Sequence, residues 1–290
     1  MRELLIANGS ARLAVRDHGG GGRPAVLLVH GIRGTAYAFV SFRPSFEPDH
    51  RVVELELRGH GRSTGGSWSW EAAVSDVESV VEHLRIADAA VVGFSLGGIV
   101  AACYAAAHRE ASAVVNVDGY GFADLRGHDT RTEQRIAELH AFRRGRVGRT
   151  LTQEELDAQL AHAAPGDERE AILRRLRRLA DGTWQKLPAP ELELAILDSI
   201  ATTTLTSLYE RIECPLLTVL SLRPDAAPRA DLSWVPELHG AQIAALQAEL
   251  RRLSAAHPNQ ALVEVDVPHH ELLVRPEIAT AVRNFVVGSV

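Results

Sequence analysis

Residues 91–98 read Val91-Val92-Gly93-Phe94-Ser95-Leu96-Gly97-Gly98, a serine between glycines where a short apolar run gives way to an alanine-rich one, Ile99 to Ala107. This succession predicts a strand, a sharp turn and a helix, with Ser95 at the apex in a strained backbone. Glycine at 93 and 97 leaves room for neighbouring chain to pass close by. Such a turn lifts a hydroxyl out at the top of a sheet and aims it at a helix N-terminus, where the backbone N–H of Leu96 is free to stabilise an oxyanion. The plainer reading is an ordinary serine in a glycine-rich turn; the position between strand and helix favours a nucleophile. A serine hydroxyl reacts poorly at neutral pH, so it needs a general base, and the base needs an orienting acid.

The elements that must position these groups begin at Pro24. Pro24 to Gly31 is a continuous apolar run ending in His30-Gly31, suited to a central strand of a parallel sheet buried on both faces. Ile32-Arg33-Gly34-Thr35 is then a loop at its C-terminal end. A second run, Arg51 to Leu57, ends in Arg58-Gly59-His60-Gly61-Arg62-Ser63. With V-H-G after one strand, R-G-H-G-R-S after the next and G-F-S-L-G-G after the third, nearly the whole chain resembles the α/β-hydrolase superfamily. The resemblance implies an α/β fold: a mostly parallel sheet flanked by helices, with a helical lid inserted after the sixth strand. It leaves the substrate open, because one fold hosts many chemistries.

In that superfamily the chain order is Ser, acid, His. The late histidines are His269 and His270, and His269 stands seven residues before Pro276, at the distance where relatives carry the catalytic histidine ahead of a final helix. His269 is therefore the expected base and His270 the alternative. The acid is expected at Asp118, which closes the apolar run Ser112 to Val117 and precedes Gly119 at the functional edge of the sheet. Asp225, after the next strand in Ser221-Leu222-Arg223-Pro224-Asp225, is the alternative and lacks the family's preceding glycine. The oxyanion hole is expected from the backbone N–H groups of Ile32 and Leu96. His30 and His60 are expected to brace loops. Serine at the elbow, with no asparagine after His30-Gly31, argues against dehalogenation and against aspartyl epoxide hydrolysis.

Further along, helices are expected over residues 71–84, 239–256 and 277–287, and strands over 11–16, 214–220 and 261–267. Met1 to Gly9 reads as a strand ending in an Asn-Gly turn. From Phe122 to about Glu213 only charged amphipathic helices are expected, among them an arginine-rich one over 168–179 whose charges face solvent. This gives a core of 1–121 and 208–290 and a lid over 122–207. The chain of 290 residues, 46% hydrophobic, can bury a large core. Its formal net charge of −6 argues against a nucleic-acid partner. No apolar run spans a bilayer and no signal peptide is visible, so a cytoplasmic monomer or homodimer acting on a small molecule is expected, with no membrane partner, metal or organic cofactor. Cys103 and Cys214 are expected as core thiols, and Lys186 is the only lysine. The expected activity is hydrolysis of a carboxylic ester, thioester or lactone. A carbon–carbon bond hydrolase with the same triad, or a non-hydrolytic ligand-binding protein on the same scaffold, remain as alternatives.

Overall fold

In a computed structural model that describes residues 1–121 and 129–289, the chain begins with a hairpin, β1 (Arg2–Asn8) and β2 (Ala11–Gly19). Its loop is Gly9-Ser10, one residue beyond the expected Asn-Gly pair, because Asn8 still pairs with Ala11. There follow β3 (Val26–Val29), β4 (Val52–Leu55), α1 (Trp70–Leu84), β5 (Ala90–Phe94), α2 (Leu96–Ala107) and β6 (Ala113–Val117). Next come α3 (Thr130–Arg144), β7 (Thr150–Leu151), α4 (Gln153–His162), α5 (Asp167–Arg174), β8 (Leu176–Arg178), β9 (Trp184–Lys186), α6 (Pro190–Thr202) and α7 (Leu205–Tyr209). β10 (Leu216–Arg223), α8 (Val235–Ala256), β11 (Gln260–Pro268) and α9 (Pro276–Gly288) complete the chain.

The large sheet runs β1-β2-β4-β3-β5-β6-β10-β11. β2 is antiparallel to β1 and β4; the remaining pairings are parallel. Its central runs are apolar on both sides because each side meets a core. Leu27, Val29, Val91 and Val114 face the cluster that includes α1 and α2, while Val26, Leu28, Val92 and Val115 face the one closed by α9. α2 is buried on nearly every face, which explains its run of alanines. The free thiols Cys103 and Cys214 sit against and within the first cluster. None of the described helices is long and apolar enough to cross a membrane.

Strand order decides where chemistry can happen. From β3 the chain steps one way to β4 and then back past β3 to β5, so the crevice outside the C-terminal ends of β3 and β5 is a topological switch point. The register aligns those ends: Val29 pairs with Gly93, Gly93 with Asn116, and Val117 with Val219.

The expectation of helices alone between β6 and β10 is corrected by a second, three-stranded antiparallel sheet in the order β7-β9-β8. The expected helix over 168–179 ends at Arg174, and Leu176–Arg178 is a strand. Local periodicity could not reveal strands of two or three residues that gain their hydrogen bonds only from each other. The expected start of the insertion, at Phe122, lies outside the described residues. The insertion packs on the C-terminal edge of the large sheet: the Arg33 guanidinium pairs with buried Glu193 of α6, and a Cβ at Gly59 would stand 2.1 Å from Leu192.

The arginines here are not all on a solvated face. Arg174 donates from Nε to Glu56 and from Nη2 to Glu3, each at 2.6 Å, and the Arg174 and Glu56 side chains are 1% and 0% exposed. Burying these charges is tolerable only while they are paired, and Arg174→Ala leaves the Glu56 carboxylate with the Ala36 and Arg62 N–H groups but no opposite charge. We expect it to cost about 3–5 kcal/mol of stability, the usual penalty for breaking a buried pair from one side. A thermal midpoint equal to that of the wild type would rule out the ion pair as the anchor of α5.

Candidate active site

Ser95 sits between β5 and α2 with φ 54° and ψ −119°, a region that costs a residue with a Cβ on the order of 1–3 kcal/mol. The surroundings hold it there. A Cβ at Gly93 would lie 2.0 Å from the Gly97 carbonyl oxygen, and one at Gly97 would lie 2.0 Å from that of Val29, so no larger residue fits either side of the serine. The Ser95 N–H donates to the Val117 carbonyl (2.9 Å), tying the elbow to the end of β6. Leu96, the first residue of α2, has no residue one turn back within the helix to accept its N–H.

Asp118 follows β6 with φ 56° and a side chain that is fully buried. Its Oδ1 accepts the Ser221 N–H (2.8 Å) and its Oδ2 accepts from His269 Nδ1 (2.7 Å). The turn that points it there is pinned by Asn116, whose side chain accepts from Gly119 N–H, donates to the Gly119 carbonyl and donates to the Tyr209 hydroxyl. His269 begins a short 3-10 turn directly after β11, and its ring stacks on Phe94, the residue before Ser95, at 4.7 Å between centroids. Burial disfavours the imidazolium, but the hydrogen bond and charge of Asp118, joined by the charge of Asp225, outweigh it and hold the His269 pKa above its ordinary value.

The two alternatives lie elsewhere. The His270 side chain is 75% exposed and its nearest charged partner is Glu271, at 4.0 Å. Asp225 is half exposed and lies 3.7 Å from Nδ1 of His239 on α8. Burial, opposed by Asp225, takes His239 down to about 4, so it is neutral at neutral pH.

The loop after β3 closes the other side. A Cβ at Gly31 would stand 2.9 Å from Ser95 Cβ, so the turn carrying Ile32 passes directly over the serine. His30 beneath it is fully buried, and burial together with the neighbouring His60 takes its pKa well below the ordinary value, leaving it neutral. Its Nε2 accepts the Leu57 N–H (3.1 Å), so Nδ1 carries the proton and donates to the Gly31 carbonyl (2.7 Å). His60, taken down to about 4 chiefly by burial, lies 5.1 Å away between ring centroids. Both therefore act as neutral braces.

The structure thus gathers Ser95, His269, Asp118, Ile32 and Leu96 at one crevice and leaves His270 and Asp225 at its rim. Sequence reasoning missed Phe94, Asn116 and Tyr209. Asn116 had a signal, a polar residue inside an otherwise apolar strand; Tyr209 had none, since only the fold brings α7 to β6.

An eight-stranded, mostly parallel sheet whose central strand breaks sharply into a buried helix at a serine is the architecture of the α/β hydrolases. The chain belongs to that family: the model of the alpha/beta hydrolase fold matches residues 24–189. Among curated proteins, it is 30% identical over 174 residues to the serine hydrolase-like protein of Danio rerio, covering 56% of this chain and 53% of that one. The chain thus spans about half the length of that relative, and less of others it matches. Among solved structures, E-2-(acetamidomethylene)succinate hydrolase superposes with a TM-score of 0.71 at 20% identity, over 99% of both chains. The enol-lactonase of Burkholderia xenovorans LB400 superposes with a TM-score of 0.63 at 19% identity, over 99% of this chain and 100% of that one. At these identities the likeness is one of fold.

Proposed function

We propose that this protein hydrolyses small-molecule carboxylic esters, thioesters or lactones by acyl transfer, with Ser95, His269 and Asp118 as its triad. The observation that carries the reading is the 2.7 Å hydrogen bond from His269 Nδ1 to buried Asp118, made by a ring stacked beside the strained Ser95 elbow. With Nδ1–H committed to Asp118, the free Nε2 is the nitrogen able to take the Ser95 proton. The hydroxyl oxygen attacks the acyl carbon, and the oxyanion is held by the N–H groups of Leu96 and Ile32. Imidazolium then protonates the leaving group, and water, activated by the same nitrogen, cleaves the acyl-enzyme. The half-exposed Asp225 lies beside His239 and adds only charge at a distance, which favours Asp118 as the orienting acid. Hydrolase relatives and an enol-lactonase of the same fold are consistent with this chemistry.

In this reading the insertion expected over residues 122–207 is a lid: its described part, from residue 129 onward, covers the crevice, excluding water and shaping the acyl pocket. Its contacts with the loops after β3 and β4 support that role. The substrate is a small molecule met in the cytoplasm by a monomer or homodimer.

A fluorophosphonate probe tests the nucleophile directly, since labelling needs an activated serine. We expect modification at Ser95 by peptide mass spectrometry and none in a Ser95→Ala variant; labelling at another serine would move the site. A second expected outcome separates the histidines. His269→Ala loses activity on p-nitrophenyl butyrate by about 10³-fold or more, as for other triad deletions, while His270→Ala, on an exposed side chain, stays within about threefold. The reverse order would assign the base to His270.

A further inference from the structure

Beside the loop that carries Ile32 lies a cavity of about 210 Å³ whose charged groups are all of one sign. Arg33, Arg175, Lys186 and Gln159 line it, with Ile172 and Leu187 among its apolar walls, and no carboxylate lines it among the described residues. The Arg33 charge is met from behind by Glu193. Arg175 and Lys186 have no such partner: both side chains are accessible, and neither makes an ion pair among the described residues. The small sheet fixes the backbone of both: Lys186 ends β9 and pairs with Leu176, and Arg175 directly precedes β8, its carbonyl accepting the Leu187 N–H at 2.8 Å. Protein packed around Arg175 costs its guanidinium hydration and lowers its pKa, with no carboxylate offsetting the loss. A bound anion would supply the counter-charge that both Arg175 and Lys186 lack among the described residues. Arginine's planar fork suits a carboxylate or phosphate.

The cavity is also close to the chemistry. Arg33 is two residues from Gly31, which packs on Ser95, and two Cα steps span at most about 7.6 Å. The charge of Arg175 reaches buried His30 beneath the same loop. With water occupying about 30 Å³ in the liquid, the space holds an oxyanionic group on a short linker. We propose that this cavity is an anion subsite that receives a carboxylate or phosphate group of the substrate, several atoms from the acyl carbon, so that the natural substrate is an acidic ester, thioester or lactone. The proposal rests on the acyl-transfer reading above and adds to it the charge of the substrate.

The test is a comparison of kcat/KM for three esters of similar length: p-nitrophenyl pentanoate, mono-p-nitrophenyl glutarate and p-nitrophenyl 4-phosphonobutanoate. We expect the wild type to favour at least one anionic ester over the neutral one by about tenfold or more, the worth of one charge-assisted contact. The better of the two anionic esters distinguishes carboxylate from phosphate. Arg175→Gln and Lys186→Gln should each cut that ratio about tenfold and Lys186→Glu should invert it, whereas Arg169→Gln, on an exposed arginine outside the cavity, should keep it. Reading a ratio removes any general loss of activity in the variants. Equal rates on the three esters in the wild type, or a ratio that survives both glutamine variants, would overturn the proposal. If no ester is cleaved, the acyl-transfer reading has failed, and the subsite is judged by calorimetry with glutarate and with inorganic phosphate. Binding to the wild type that is lost in Arg175→Gln supports the subsite; no binding to the wild type refutes it.

Discussion

Replacing Ser95 with alanine is expected to lower kcat on p-nitrophenyl butyrate by about 10⁴-fold or more, the scale seen when a triad nucleophile is removed. The substitution deletes one oxygen from a turn whose shape is set by its neighbours: the Ser95 backbone N–H still donates to Val117, and the packing at Gly93 and Gly97 is unchanged. Far-UV dichroism and the thermal midpoint should therefore match the wild type. Ser95→Gly is equally inactive but more stable than Ser95→Ala, because at φ 54° a Cβ costs about 1–3 kcal/mol, against about 0.5–1 kcal/mol of extra entropy lost by glycine. Activity of Ser95→Ala within tenfold of the wild type would remove Ser95 from the mechanism.

Asp118→Asn is expected to lower kcat by about 10⁴-fold, as the corresponding change does in a serine protease triad, and Asp225→Asn to cost less than about tenfold. The geometry gives the reason. Oδ1 of residue 118 is pinned by the Ser221 N–H, so an asparagine keeps its carbonyl there and turns its NH₂ toward His269. A donor facing Nδ1 forces the imidazole proton onto Nε2, the nitrogen that must accept from Ser95. Asp225 makes no contact that demands a charge at His269; its neighbour is His239, 3.7 Å away. The pH profile adds a sign. His269 must be neutral to act as base, and its pKa is raised, so kcat/KM falls with acidity through a limb above the ordinary imidazole value of 6.5. In Asp118→Asn the hydrogen bond and charge of Asp118 are gone while burial remains, opposed only by the more distant charge of Asp225, so the limb of the residual activity moves to lower pH. If Asp225→Asn is the crippled variant, the acid lies after β10, and if neither is, another group orients the histidine.

Much of this was legible in the residues alone. The apolar runs that became β3, β5 and β6 predicted strands, the first of them buried on both faces, and Gly93-Phe94-Ser95-Leu96-Gly97 predicted the elbow, because a strained turn and close backbone approach demand particular residue types at fixed spacing. The capping box Thr152–Glu155, in which each side chain bonds the other's backbone N–H, starts α4 by the same kind of local chemistry. The seven-residue step from His269 to Pro276 singled out one of two adjacent histidines through likeness to relatives, and the local geometry then sets His270 out in solvent.

The sequence by itself determined what local chemistry and periodicity can determine: the parallel sheet, the serine turn and a short roster of acids and histidines. Only the tertiary structure sets Asp118, and not Asp225, against His269, because the contact depends on register, on β6 ending beside β10 so that Ser221 N–H and His269 converge on one carboxylate. It also decided what the charged insertion does with its arginines. Arg174 and Arg175 are neighbours of identical type, yet one is buried against Glu56 and the other opens into a cavity, since Arg174 closes α5 and Arg175 stands between α5 and β8. Partners over a hundred residues apart in the chain leave no mark on local pattern; their pairing exists only once the sheet has closed.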